Sequence, residues 1–131
     1  MEPFVPLYLA VLKQIRQMRL TAITPTQALP KKTPFVQVQL VNANPTDRYR
    51  NAREYTYQFQ IDLVCGDNEL TLGLNLASQL IQQLRCLTVP NYQVVLVNDP
   101  NLEPLVDRST SKTYNRLLMN VEYQIIDTAV V

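Results

Sequence analysis

The sequence contains no histidine and no tryptophan, and only two glycines and two cysteines among 131 residues. Each shortage closes a class of chemistry. Without histidine there is no Ser–His or Cys–His nucleophile pair and no histidine-ligated metal site. With glycine confined to Gly66 and Gly73, neither a GxGxxG turn nor a P-loop can be written, because both need several glycines to bring backbone N–H groups onto a phosphate. Cys65 and Cys86 form no CxxC. They read as two buried apolar thiols, with a disulfide as the alternative. No run approaches the ~18 apolar residues of a membrane span. The Met1-Glu2-Pro3-Phe4 start lacks the basic region and apolar core of a secretory signal. The expectation is a protein made in a cytoplasm and kept off the membrane.

What is present fits a single domain over 1–131. Hydrophobic residues make up 47% and charged residues 18%, the balance of a chain that buries a core. The formal net charge of +1 argues against a dedicated duplex-DNA binder, which carries a marked basic excess. Only carboxylate chemistry remains open, and Asp62, Asp67 and Glu69 cluster near one chain reversal. A strand end followed by a helix start accounts for them, since acidic side chains suit the positive end of a helix. No catalytic, cofactor-binding or metal-binding residue is assigned.

Periodicity gives the elements. Over 3–20, Phe4, Leu7, Tyr8, Val11, Leu12, Ile15 and Met18 recur at helical spacing, with Lys13, Arg16 and Arg19 near the solvated side. Pro25 and Pro30 then mark a connector. Residues 34–42 alternate through Val36, Val38 and Leu40 as a strand. Residues 43–54 lack periodicity and read as a long polar loop. Residues 55–65 alternate most strongly, with Tyr55, Tyr57, Phe59, Ile61, Leu63 and Cys65 on one face. A second helix is expected at 69–87, buried through Leu70, Leu74, Ala77, Leu80, Ile81 and Leu84. A third strand follows at 92–98, a second long polar loop at 99–115, and a last strand at 116–126. The fold class is α+β: a two-layer sandwich, α-β-β-α-β-β, with a four-stranded mainly antiparallel sheet and both helices on one face.

Three features lie outside that core. The open sheet face is rich in amides (Gln37, Gln39, Gln58, Gln60, Gln93, Asn120, Gln124). Amides tolerate either water or a covering subunit. The strands at 34–42 and 92–98 hold no charge to protect a sheet edge. The two long connectors combine cations with tyrosine: Arg48, Tyr49, Arg50 and Arg53 in the first, Arg108, Lys112, Tyr114 and Arg116 in the second. Arginine and tyrosine are enriched among interface anchors. These eight residues are the candidate protein-interface set, placed where hairpins turn at one end of the sheet. The readings weighed are a clasp on a protein partner, basic side chains facing passing DNA phosphates, and a merely soluble loop.

The length, element order and loop placement resemble the tail-completion or tail-terminator proteins of long-tailed bacteriophages and the related "minor capsid" neck proteins. The resemblance covers nearly the whole chain: a helix, a hairpin with a long Arg/Asn-rich loop over 34–65, a second helix, and a closing hairpin over 92–126. It implies a homo-oligomeric ring, typically hexameric, that caps the tail tube, contacts tail-tube and head-connector proteins, and lets DNA pass without reading it. It implies residence in the virion neck after assembly in a bacterial cytoplasm. The alternative is a non-enzymatic adaptor or dimeric module that uses an exposed edge strand.

Overall fold

The computed structural model describes residues 3–49, 52–109 and 111–127. The elements run α1 (Phe4–Gln17), β1 (Thr21–Ile23), β2 (Phe35–Tyr49), β3 (Ala52–Gly66), α2 (Leu70–Arg85), β4 (Gln93–Leu96), β5 (Asn101–Asp107) and β6 (Tyr114–Asp127). The class is α+β, with two helices and a mixed six-stranded sheet rather than four antiparallel strands. The order is β1-β2-β3-β6-β4, and β5 also pairs with β6. All pairings are antiparallel except β1 with β2.

Two of the expected loops are strands. Residues 43–49 and 52–54 continue the hairpin, so β2 and β3 stay paired to Tyr49↔Ala52. Register shifts between Leu40 and Asn42 and between Pro45 and Asp47 each insert one residue. An inserted residue reverses which side chains face inward, and so the two-residue period of 34–42 does not carry on past Val41. Pro45 is tolerated because β2 is an edge strand there. Within 99–115, β5 forms despite Pro104, again on an edge.

One core holds both helices to one face of the sheet. Leu7, Val11 and Ile15 of α1 and Ala77, Leu80 and Leu84 of α2 are fully buried. They pack with Val36 and Val38, with Tyr57, Phe59 and Ile61, and with Leu117, Met119 and Tyr123 from the three long strands. Leu70 and Leu74, expected in this stripe, are exposed; Gly73 occupies the contact instead. A Cβ on Gly73 would lie 2.5 Å from Cys65 Sγ and 3.2 Å from Leu117 Cδ1, so the missing side chain lets α2 approach β3. Two tyrosine hydroxyls fix the layers. Tyr8 Oη donates to the Val38 carbonyl at 3.0 Å, and Tyr123 Oη donates to the Leu84 carbonyl at 2.7 Å.

Both cysteines are free thiols. Cys65 is buried but Cys86, at the end of α2, is exposed, which corrects the expectation of two buried thiols. α1 stops short of residue 20 because Arg19 adopts φ 63°, a left-handed conformation that ends a helix.

Candidate interaction face

The face of the sheet opposite the helices is built by alternation. Register places Gln37 and Gln39 of β2 beside Asp62 and Gln60 of β3, and these beside Leu118 and Asn120 of β6. β5 adds Glu103 opposite Leu118 and Leu105 opposite Arg116. The face is thus not only amide-lined. Among strand residues with described side chains it carries Glu54, Asp62, Glu103, Asp107 and Glu122 against Arg116 alone, an acidic excess.

At one end the face is apolar. Ile23, Phe35 and Val64 form a second small buried cluster with Tyr114 against it. Beside it Arg116 spans two carboxylates. Its Nε donates to Asp62 Oδ2 at 2.8 Å and its Nη1 to Asp107 Oδ2 at 3.2 Å; Nη2 also donates to Asp62 Oδ2. Asp62 is only 4% exposed, and its other oxygen, Oδ1, is buried without a hydrogen-bond partner. Burial pushes the Asp62 carboxyl above its ordinary range, outweighing the opposing pull of Arg116. Asp107 is held below its ordinary range, chiefly by the Ser109 hydroxyl and N–H and then by Arg116. A groove of about 210 Å³ runs over this group, lined by Gln37, Gln39, Gln60, Leu105 and Leu118. A second, of about 330 Å³, continues along Gln58, Asn120 and Glu122 toward Val41.

The three carboxylates grouped in the sequence are separated in space. Asp62 joins Arg116, and Asp67 is exposed in the turn. Glu69 bends back, accepting from the Gly66 N–H at 2.6 Å and from Thr33 Oγ1 at 2.5 Å. These two bonds hold its carboxyl below the usual range. Asn115 Nδ2 donates to the carbonyls of Gly66 and Asp67 at 2.9 and 3.0 Å, locking the same turn to β6. Among the described residues no group of three or more His, Cys, Asp or Glu could hold a metal ion. Among the described residues no helix is long and apolar enough to cross a membrane.

The eight candidate interface residues fall in two places, not one. Arg48 and Tyr49 lie in β2 and Arg53 in β3; their side chains, and Arg50 altogether, lie outside the described residues. Arg108 and Lys112 are exposed between β5 and β6. Tyr114 and Arg116 belong to β6, where the first is half-buried on the apolar cluster and the second is ion-paired. Because Arg53 pairs with Asp127 and Tyr114 with Gly66, the two sets sit at opposite ends of the sheet. Thirteen residues of strand at ~3.3 Å each put them about 40 Å apart. The partners of Arg116 were not visible in sequence: Asp62 is 54 residues away, and only the β3–β6 register joins them.

No family model and no curated protein matches the chain. Among solved structures 27 chains match. One of them aligns with a TM-score of 0.53 at 13% identity. The alignment covers 92% of this chain and 94% of that one. At that identity the likeness establishes the fold alone.

Proposed function

We propose that the chain is a structural assembly protein of the bacteriophage head–tail junction, one that forms a ring capping the tail tube and presenting a surface to the head. The observation that carries this reading is the outer edge of β2. β1 covers only Phe35–Gln37, so from Val38 to Tyr49 the edge has no partner strand among the described residues. An edge of that length, without a charged residue between Val38 and Thr46, is a template for another chain. The acidic, amide-rich face beside it is a second surface that a subunit can cover. The sequence of helix, hairpin, second helix and closing strands is the order on which the tail-completion resemblance rests, with strands in the two spans expected as long loops.

The function implies self-association, or binding to tail-tube ends where the free chain is monomeric. Light scattering and electron microscopy of concentrated protein, alone and mixed with tail tubes, test it. Rings or capped tubes are expected; neither appearing across a range of salt would refute it. A second reading, a dimeric adaptor that accepts a partner's strand, rests on the β4 edge, where Val95 is 52% exposed and Val97, just past its end, 43%. A stable dimer that never enlarges, and that binds a strand-forming peptide, would favour it instead.

A further inference from the structure

Among the described residues, the two rims of the sheet are open to a further strand at the same end. On the β2 side, β1 covers Phe35–Gln37 and the Tyr8 hydroxyl holds the Val38 carbonyl, so the rim opens only beyond that point. On the other side, Pro104 of β5 has no N–H to offer, whereas β4 has two. The Val97 N–H donates inward to the Glu122 carbonyl at 2.9 Å, and alternation turns those of Val94 and Leu96 outward. Pairing across the sheet fixes the level of the two open rims. Leu96 lies opposite Tyr123, Tyr123 opposite Tyr57, and Tyr57 opposite Ala43. The Glu122 row that takes Val97 runs through Gln58 to Asn42.

We infer that β4 of one copy pairs antiparallel with β2 of the next, so that one sheet runs through successive subunits. β2, β3, β6 and β4 alternate in direction, and an even number of such strands leaves the two rims running opposite ways. A second copy in the same orientation therefore continues the alternation without a break. The side chains match as well. Val94 and Leu96 pack against the core, which turns Val95 and Val97 to the open face. Val41, the residue inserted at the first register shift, is 57% exposed and lines the same face beside Gln58 and Glu122. The rows between these valines are polar, so at this level the exposed apolar side chains stand at the rims, where a neighbour would cover them. No charge lies in 39–46 or 92–98 to oppose the pairing. Pro45 withholds its N–H, so the junction lies on the Val41 side of it. One rim joins the other, unlike rim, which is a head-to-tail contact that closes into rings or extends as filaments.

This inference rests on the proposed self-association, and the test separates the two. Val41 and Val97 are both exposed, so changing them spares the core, and circular dichroism checks the fold. The full chain carrying Val41→Lys and Val97→Lys sets like charges across the junction. It should associate at least ~10-fold more weakly than the wild type by light scattering. The full chain carrying Val41→Lys and Val97→Glu sets opposite charges there and should regain most of that loss. A two-fold contact through β4 alone would instead set glutamate against glutamate and leave the second variant as weak as the first. Cross-linking gives an independent measurement, with Cys65 buried and Cys86→Ser as the background. Val41→Cys mixed with Val97→Cys should be joined by a bis-maleimide spanning ~8 Å, the reach of direct and diagonal cross-strand neighbours, and neither should be joined to itself. Normal assembly of the lysine pair, no recovery with glutamate, or self-linking of either cysteine variant overturns the β2–β4 junction and leaves the assembly function standing. A wild-type chain that assembles neither alone nor on tail tubes removes both.

Discussion

Replacing Gly73 by alanine sets two effects against each other, and the structure decides the sign. Gly73 lies inside α2, where alanine is intrinsically better by about 1 kcal/mol. The new Cβ would, however, stand 2.5 Å from Cys65 Sγ, a contact more than 1 Å too short, and 3.2 Å from Leu117 Cδ1. Cys65 and Leu117 are both fully buried, so relief requires α2 to move off the sheet. Overpacking of this kind costs about 1–3 kcal/mol, and a clash this deep belongs at the upper end. The net expectation is destabilisation by about 1–2 kcal/mol, or a melting point lowered by roughly 3–8 °C for a chain of this size. The partner variant Cys65→Ala removes the sulfur, so Gly73→Ala should cost about 1–2 kcal/mol less on that background, a coupling readable from a double-mutant cycle in urea. A Gly73→Ala protein that melts higher than wild type would refute the close packing of α2 on β3.

Arg116→Met leaves Asp62 buried without its cation and should cost about 2–3 kcal/mol, the partial exposure of Arg116 screening the upper part of the range. Because the Asp62 carboxyl already lies above its unfolded value and would rise further, the deficit is complete at neutral pH. It should shrink as pH falls toward 4 and the group protonates; denaturant titrations at both pH values read the gap. Glu69 behaves oppositely: its folded carboxyl is depressed, so its stabilisation is present at pH 7 and lost as pH falls through the acid range. Glu69→Gln should destabilise by about 1 kcal/mol at pH 7, and by progressively less as pH falls through the acid range. Thiol labelling should modify Cys86 at once and Cys65 only on unfolding, since burial holds the Cys65 thiol up at about 11 and encloses it. Two fast-reacting thiols in native protein would contradict that burial.

The parts legible in the sequence were those where one period runs without interruption. Tyr55, Tyr57, Phe59, Ile61, Leu63 and Cys65 alternate strictly, and all are buried in β3; the same holds for Leu117, Met119, Val121, Tyr123 and Ile125 in β6. The hairpin beyond Val41 was illegible because two register shifts break the phase and Pro45 mimics a loop. β5 was hidden by Pro100 and Pro104, and by an alternation of Leu102, Pro104 and Val106 that only an edge strand accepts. β1, at three residues, is too short to carry a period. The site suffered most. Arg116 and Tyr114 stand out by their chemistry but read as part of a connector, whereas their environment depends on which strand lies beside β6. The acidic character of the open face likewise appears only when β5 brings Glu103 and Asp107 to it.

The position of β6 has a consequence for how the chain is made. It pairs with β3 along one side and with β4 and β5 along the other, yet it is the last of these strands in chain order. On a ribosome adding about 5–20 residues per second, the 47 residues between Gly66 and Tyr114 keep β3 waiting for roughly 2–10 s. During that interval the inner side of β3 is as bare as the outer side of β2. A nascent chain is then open to the wrong neighbour on two fronts until β6 arrives and covers the inner side of β3. Chaperone dependence of newly made chains, absent for refolded full-length ones, would be the trace of that delay.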